Sequence, residues 1–318
     1  MRVILLGYGA MGRLHLAAYR RMKDVEVVAI FSTSGNASID GIPVYRDLDE
    51  CVRVEADAVD ICLPTFLHKI AFVKALEAGK HIFLEKPVAS SLSDAKEMLD
   101  LARKTERKIM VGQVLRYFPE YQKLREQLDP EKPVSALLSR RAKLPEGKHN
   151  WFLDRQKSGG VILDLSLHDI DFLRWTLGPV TRILAQTDQE YRYALITMRH
   201  KNKSISRIEA SWRYDGGFTM EAELAQEGKL LTYHSRYTIP LHVHSLPEEK
   251  DAVEVPAIFL HEDPYYRELA DFVHAVRQDT DVSITLEDAY QSTCLALLAL
   301  HSADTRKPVT VEEGGKGL

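Results

Sequence analysis

Apolar positions follow two rhythms along this chain. In the first third they form short uninterrupted runs, at residues 3–6, 25–31, 58–63, 81–84 and 108–111, each of strand length. Helical spacing fills several of the gaps. Residues 10–22 carry Met11, Leu14, Ala18 and Met22 at helical intervals, residues 66–78 run up to Gly79 as a C-cap, and residues 93–105 open on Ser93 as an N-cap. Unbroken apolar strands suit a parallel sheet covered on both faces. The β-α-β order predicts a doubly wound α/β domain over residues 1–118.

The rhythm changes after Pro119. Residues 133–142 read as a strand and 144–158 as a polar, irregular stretch. Gly159-Gly160 opens a helix that runs to Leu177 and stops at Gly178-Pro179. Residues 180–255 read as several strands, and those at 191–199 and 204–213 flank a hairpin connection, residues 200–203. Helices follow at 265–277 and 286–303. Residues 119–318 are thus expected to form an α+β domain on an open, mainly antiparallel sheet.

Size and charge narrow the classes. The 318 residues suffice for two cored domains, and 45% hydrophobic with 28% charged is an ordinary globular composition. A net charge of −4 gives no electrostatic case for nucleic acid or an anionic membrane. The apolar run after Arg2 is too short for a signal peptide, and the late run at 294–300 is too short to span a bilayer. Cys51, Cys62 and Cys294 are far apart without C-x-x-C spacing, which suits reduced thiols in the cytoplasm.

Three groups of residues carry candidate chemistry. Gly7-x-Gly9-x-x-Gly12 lies between a strand and a helix, the context in which it binds a dinucleotide. Gly7 permits the turn, Gly9 lets a pyrophosphate approach, Gly12 lets the helix pack, and the helix start at Ala10 and Met11 offers free N–H groups. The second strand ends at Ser32-Thr33 with no carboxylate to grip a ribose, which leans to NADP(H) and leaves NAD(H) open. Glu85-Lys86-Pro87 closes the fourth strand, at the sheet end where ligands collect, and the proline restricts Lys86 to extended geometry. A solvated lysine beside a turn proline is the plain alternative. Asp164, His168 and Asp171 fall at i, i+4 and i+7 on an otherwise apolar helix. Such a stripe is either satisfied structurally or functional, and histidine suits proton transfer near neutral pH. His242, His244 and His261 lack partners at ligand spacing, so no metal is expected.

Together these residues resemble the GFO/IDH/MocA family of NAD(P)-dependent oxidoreductases over nearly the whole chain. The resemblance rests on the glycine turn, Pro64-x-x-x-His68, residues 78–87 with Glu85-Lys86-Pro87, residues 116–119, and Ser158-Gly159-Gly160 with Asp164-x-x-x-His168. It implies hydride transfer between nicotinamide and a sugar, inositol or related hydroxy/oxo compound, and a homo-oligomer through the open sheet. Lys86 is then expected to bond the reacting oxygen, His168 to act as base or acid, and Asp164 to orient the substrate. Glu85, His68 and the Leu63-Pro64-Thr65 turn are expected at the cofactor, and Arg116 and Trp151 beside the nicotinamide and substrate. Val161 for a third glycine, Ser166 for glycine and Phe152 for arginine depart from the pattern. A non-catalytic dinucleotide sensor on the same fold, or a reductase of a non-sugar compound, are the rival functions.

Overall fold

The computed structural model describes residues 1–33, 35, 37–145, 148–237, 241–245 and 263–312. His261 lies outside the described residues, as do the side chains of His242 and His244. The chain divides into two compact units, Met1–Tyr117 with Glu262–Tyr290, and Phe118–His261 with Gln291–Leu318.

In the first unit the chain runs β1 (Arg2–Leu6), α1 (Ala10–Arg20), β2 (Glu26–Phe31), β3 (Ser38–Ile39), β4 (Ile42–Tyr45), α2 (Leu48–Val52), β5 (Ala58–Ile61), α3 (His68–Glu77), β6 (His81–Glu85), α4 (Leu92–Ala102) and β7 (Ile109–Gly112). The sheet order is β3-β4-β2-β1-β5-β6-β7. All neighbours pair parallel except β3 with β4. β1, β5 and β6 are consecutive and buried nearly end to end, so their carboxyl ends stand side by side at the edge where Rossmann sheets take ligands.

The second unit continues with α5 (Pro119–Glu126), β8 (Val134–Arg141), α6 (Arg155–Ser158), α7 (Gly160–Asp164), α8 (Ser166–Leu177), β9 (Val180–Thr187), β10 (Tyr193–His200), β11 (Ile205–Ser211), β12 (Thr219–Gln226), β13 (Lys229–His234) and β14 (Leu241–Ser245). After α9 (Pro264–Gln278) come α10 (Leu286–Thr305) and β15 (Val309–Thr310). The sheet, ordered β14-β13-β12-β8-β11-β10-β9-β15, is antiparallel except between β8 and β11. One face is buried through Ala136, Leu138, Ile196, Met198 and Ile208, and α7 and α8 pack against these strands. The opposite face leaves Leu137, Leu184 and Ile205 exposed.

Four details depart from the pattern reading. Helix α9 belongs to the first unit, although its place in the chain assigned it to the second. Periodicity identifies its apolar stripe but not the core that receives it: Leu269, Phe272 and Val273 pack with Val3, Leu16, Tyr19 and Phe83. The strands β3 and β4 and the helix α2 were not legible, being short and half-exposed. The N-cap of α4 is Ser91, whose Oγ accepts the Asp94 N–H at 3.1 Å, rather than Ser93. The helix after Gly160 is broken at Leu165, where Ser166 Oγ donates back to the Val161 carbonyl at 3.2 Å.

Candidate functional site

The cradle of the first unit is built by its glycines. Gly7 has φ +104°, and a Cβ there would lie 2.6 Å from the Cys62 carbonyl oxygen; a Cβ on Gly12 would lie 2.0 Å from the Gly7 oxygen. These two are forced by the fold itself. Gly9 differs, since a Cβ there meets nothing within 4 Å, so the open space beside it lies on the solvent side of the turn. Gly9 is also the N-cap of α1 and makes no side-chain cap, and the first turn carries no acidic residue. The N–H groups behind Ala10 and Met11 therefore face outward beside a bare backbone, which fits the pyrophosphate of a dinucleotide.

At the tip of β2 the Ser32 N–H bonds the Tyr45 carbonyl at 3.1 Å, and Thr33 is exposed. The structure adds a residue that the sequence did not single out. Arg46, at the end of the neighbouring β4, donates Nη2 to the Gly35 carbonyl at 2.6 Å and so places a guanidinium in the loop that follows Ser32 and Thr33.

The turns after β5 and β6 are tied together from beneath. His68 is 1% exposed, with Nδ1 2.8 Å from the Pro87 carbonyl and Nε2 2.8 Å from the Leu63 carbonyl. Burial pushes its pKa down, so the ring is neutral and donates one hydrogen at a time. His68 is thus a brace between the Leu63-Pro64-Thr65 turn and the Lys86-Pro87 turn, where it was expected to line the cofactor. The Lys86-Pro87 bond is cis.

Glu85 is also turned inward. It is 7% exposed; Oε2 accepts the Lys86 N–H at 3.2 Å, and Oε1 stands 3.2 Å from Nε2 of His15. The fully buried His15 has Nδ1 2.9 Å from Asp60 Oδ2 and 3.2 Å from Cys62 Sγ. These are hydrogen-bond separations, shorter than an ion bonded at about 2.0–2.3 Å to each donor would leave. Arg116 is 8% exposed and pairs with Asp288 at the start of α10, which fixes its guanidinium.

In the second unit, Gly159 and Gly160 both have positive φ. A Cβ on Gly159 would strike Leu163, and one on Gly160 would come within 2.6 Å of Tyr191. The Val161 N–H bonds the Tyr191 carbonyl at 2.9 Å, and the Val161 side chain is fully buried, which accounts for a valine where the family pattern has glycine. The helix face then separates the three aligned polar residues. Asp171 is 1% exposed and satisfied, accepting from Ser292 Oγ at 2.7 Å. Asp164 and His168 are half-buried, one helical turn apart, among otherwise buried neighbours. Between them in importance is a residue missed in the sequence: Asp169, beside His168, takes two hydrogen bonds from buried Arg140 at 2.9 and 2.7 Å and anchors the helix. Trp151 is half-buried and stacks on Phe152 at 4.0 Å; Phe152 packs edge-on to Trp212, an apolar use of the position where arginine was expected.

The chain is similar to several known oxidoreductases. Uncharacterized oxidoreductase YrbE of Bacillus subtilis is 27% identical over 98% of this chain and 97% of its own length. Myo-inositol 2-dehydrogenase of Thermotoga maritima is 24% identical over 98% and 99%. The solved structure of levoglucosan dehydrogenase in complex with NADH superposes with a TM-score of 0.86, covering 98% of this chain and 99% of that one at 20% identity, which speaks to the fold. Among the described residues no helix is long and apolar enough to cross a membrane. The family profile for an oxidoreductase with an NAD-binding Rossmann fold matches residues 1–113, and the matching C-terminal domain profile covers residues 132–230. The chain therefore belongs to the GFO/IDH/MocA family of oxidoreductases.

Proposed function

We propose that this protein transfers a hydride between a nicotinamide dinucleotide and the CH–OH carbon of a sugar, an inositol or a related hydroxy/oxo compound. The observation that carries the reading is the conjunction, at strand ends of one sheet on either side of β5, of the open uncapped cradle at Gly9 after β1 and the braced turn that bears Lys86 after β6. The names of the inositol and levoglucosan dehydrogenases above support the substrate class.

The dinucleotide supplies the hydride acceptor or donor. Gly7, Gly9, Gly12 and the N–H groups of Ala10 and Met11 bind its pyrophosphate, and Leu63, Pro64 and Thr65 line its path along the strand ends. Ser32, Thr33 and the Arg46 guanidinium, with no carboxylate among them, favour NADP(H) over NAD(H), because an acid there would repel a 2′-phosphate. Lys86 donates a hydrogen bond to the reacting oxygen. His168 takes the hydroxyl proton in oxidation and returns it in reduction, with Asp164 orienting the substrate and Arg116 and Trp151 shaping its surroundings. The open face of the second sheet, with Leu137 and Ile205 each 47% exposed, suits a homo-oligomer that light scattering would detect. The three free thiols suit the cytoplasm.

The test follows the absorbance of reduced nicotinamide against a panel of sugars and cyclitols, with NAD and NADP in parallel. Turnover should appear in the panel, with Lys86→Ala and His168→Ala lowering it by about 100-fold or more while dinucleotide binding survives. Tight binding of the dinucleotide with no turnover anywhere in the panel would favour the sensor instead.

A further inference from the structure

We propose that His15 and Glu268 are positioning residues for Lys86: His15 faces the Glu85 side chain and Glu268 packs beside both as a neutral wall, and Glu85 in turn holds the Lys86 amide. The catalytic consequence rests on the hydride-transfer reading above; the placement does not.

The placement follows from the packing of the first unit. Glu85 leaves the end of β6 pointing inward, and Gly112 on β7 makes room for it, since a Cβ there would lie 3.1 Å from Glu85 Oε1. One Glu85 oxygen accepts the Lys86 N–H and the other faces His15 Nε2. The opposite side of the ring is held by Asp60 and Cys62, and Phe83 closes it edge-on at 5.5 Å. Glu268 enters from α9. Its carboxyl is 0% exposed, and its donor atom lies within 4.8 Å of those of His15 and Glu85. Among the described residues neither of its oxygens has a hydrogen-bond partner.

Three carboxyl groups thus share one imidazole, with the Tyr19 phenol and the Cys62 thiol at the margin. Leaving Glu268 ionised would put a second bare negative charge beside Glu85 in a dry interior, a cost of several kcal/mol. Keeping its proton removes that cost. Burial, and then the charge of Glu85, push the Glu268 carboxyl well up. Burial opposes a charged His15 ring, yet its pKa is well raised, with Cys62 and Asp60 outweighing that opposition. Burial also pushes the Cys62 thiol up. The resulting set is a cationic His15 between Asp60 and Glu85, with a neutral Glu268 beside it. The Lys86 turn therefore rests on Glu85, whose Oε1 faces the His15 ring at 3.2 Å, with Glu268 as the neutral wall that keeps a rival anion away.

Two measurements on the full-length protein test this. Infrared difference spectra at pH 7 should show the carbonyl band of a protonated carboxyl in the wild type, absent from Glu268→Gln. His15→Phe should lower kcat about 100-fold while KM for the dinucleotide stays within about threefold, and His15→Gln, which keeps an N–H near Glu85, should recover about tenfold of that loss. Unchanged kcat in His15→Phe, a loss confined to KM, or a spectrum without the Glu268 band would each overturn the assignment. If His15→Phe does not fold, His15→Gln and the infrared band decide. If the wild type turns over nothing in the panel, the hydride reading fails, and the band still reports whether Glu268 holds its proton.

Discussion

Each unit of this protein buries an ionic node, and the two are built on opposite plans. In the second unit Arg140 and Asp169 are each about 2% exposed and joined by two hydrogen bonds, with the Tyr121 hydroxyl 3.4 Å from the guanidinium. One cation meets one anion in bidentate geometry, and both Asp169 oxygens are used. In the first unit one imidazole faces Asp60 and Glu85, with Glu268 close by and unbonded. The balanced pair is a rivet: it locks β8 to the helix that carries His168. The unbalanced cluster has more acids than bases and settles the difference with a proton. The cluster of the first unit therefore responds to pH.

The largest expected effect comes from breaking the rivet. Asp169→Ala leaves the Arg140 guanidinium buried without a counter-charge, which should cost about 3–5 kcal/mol in denaturant unfolding. The paired replacement Arg140→Met with Asp169→Leu should recover most of that loss, because a packed apolar pair of similar size removes the stranded charge. Equal destabilisation by the single and the double change would show that the pair is not the unit of stability, and the contrast with the His15 cluster would lose its footing.

What the sequence disclosed differs between the two nodes as well. The glycine turn, the parallel strand order and the turn at Lys86 are local signals, each contained within a dozen residues, and all three stand in the fold as read. Asp164 and His168 were picked out from helical spacing, but the break at Leu165 that puts them on α7 and α8 was hidden, since it depends on one serine hydroxyl choosing a backbone carbonyl. The assembly around His15 was hidden for a different reason. His15, Asp60, Glu85 and Glu268 lie on four separate elements, and only the return of α9 to the first unit brings the last of them in. His15 was readable as one polar residue on a helix, and nothing in its neighbourhood along the chain marks it as a hub. His68 was singled out from the turn that precedes it, and its two bonds to the Pro87 and Leu63 carbonyls were hidden because they join turns about 20 residues apart.

A smaller effect separates the nodes by pH. The Glu268 pKa is raised in the folded state, so the folded protein holds a proton that the unfolded chain releases above about pH 4.5. Its contribution to stability is present below that value and is lost as pH rises toward the folded pKa. His15, also raised, adds a loss of the same sign above about pH 6.5. Each group adds a slope of up to about 1.4 kcal/mol per pH unit. Glu268→Gln should therefore flatten the fall in stability between about pH 5 and pH 7, measured by urea unfolding at fixed ionic strength. A wild type and variant with parallel profiles over that window would mean that Glu268 is ionised, and the contrast between a balanced and a proton-holding node would collapse.

The smallest effect asks whether the neighbours of His15, rather than burial itself, make it unusual. His200 in the second unit is 3% exposed, with Nδ1 3.1 Å from the Gly178 carbonyl and Nε2 2.9 Å from Ser206 Oγ, and it has no carboxylate among these partners. Burial pushes its pKa down, with the Gly178 carbonyl only partly offsetting it. The sign is then reversed. The unfolded chain takes up a proton below about pH 6.5 that the folded ring refuses until its own lower pKa, so stability is lost as pH falls through that interval. His200→Gln should lose stability at pH 7 through its altered hydrogen bonds, yet fall less steeply on acidification, by about 1 kcal/mol between pH 7 and pH 5. The two histidines are both buried, and they titrate in opposite directions because Cys62 and Asp60 stand beside one while the other faces neutral oxygens. A variant whose acid limb matches the wild type would mean that His200 is protonated in the fold, and burial could no longer serve as the baseline against which the charge on His15 is attributed to Cys62 and Asp60.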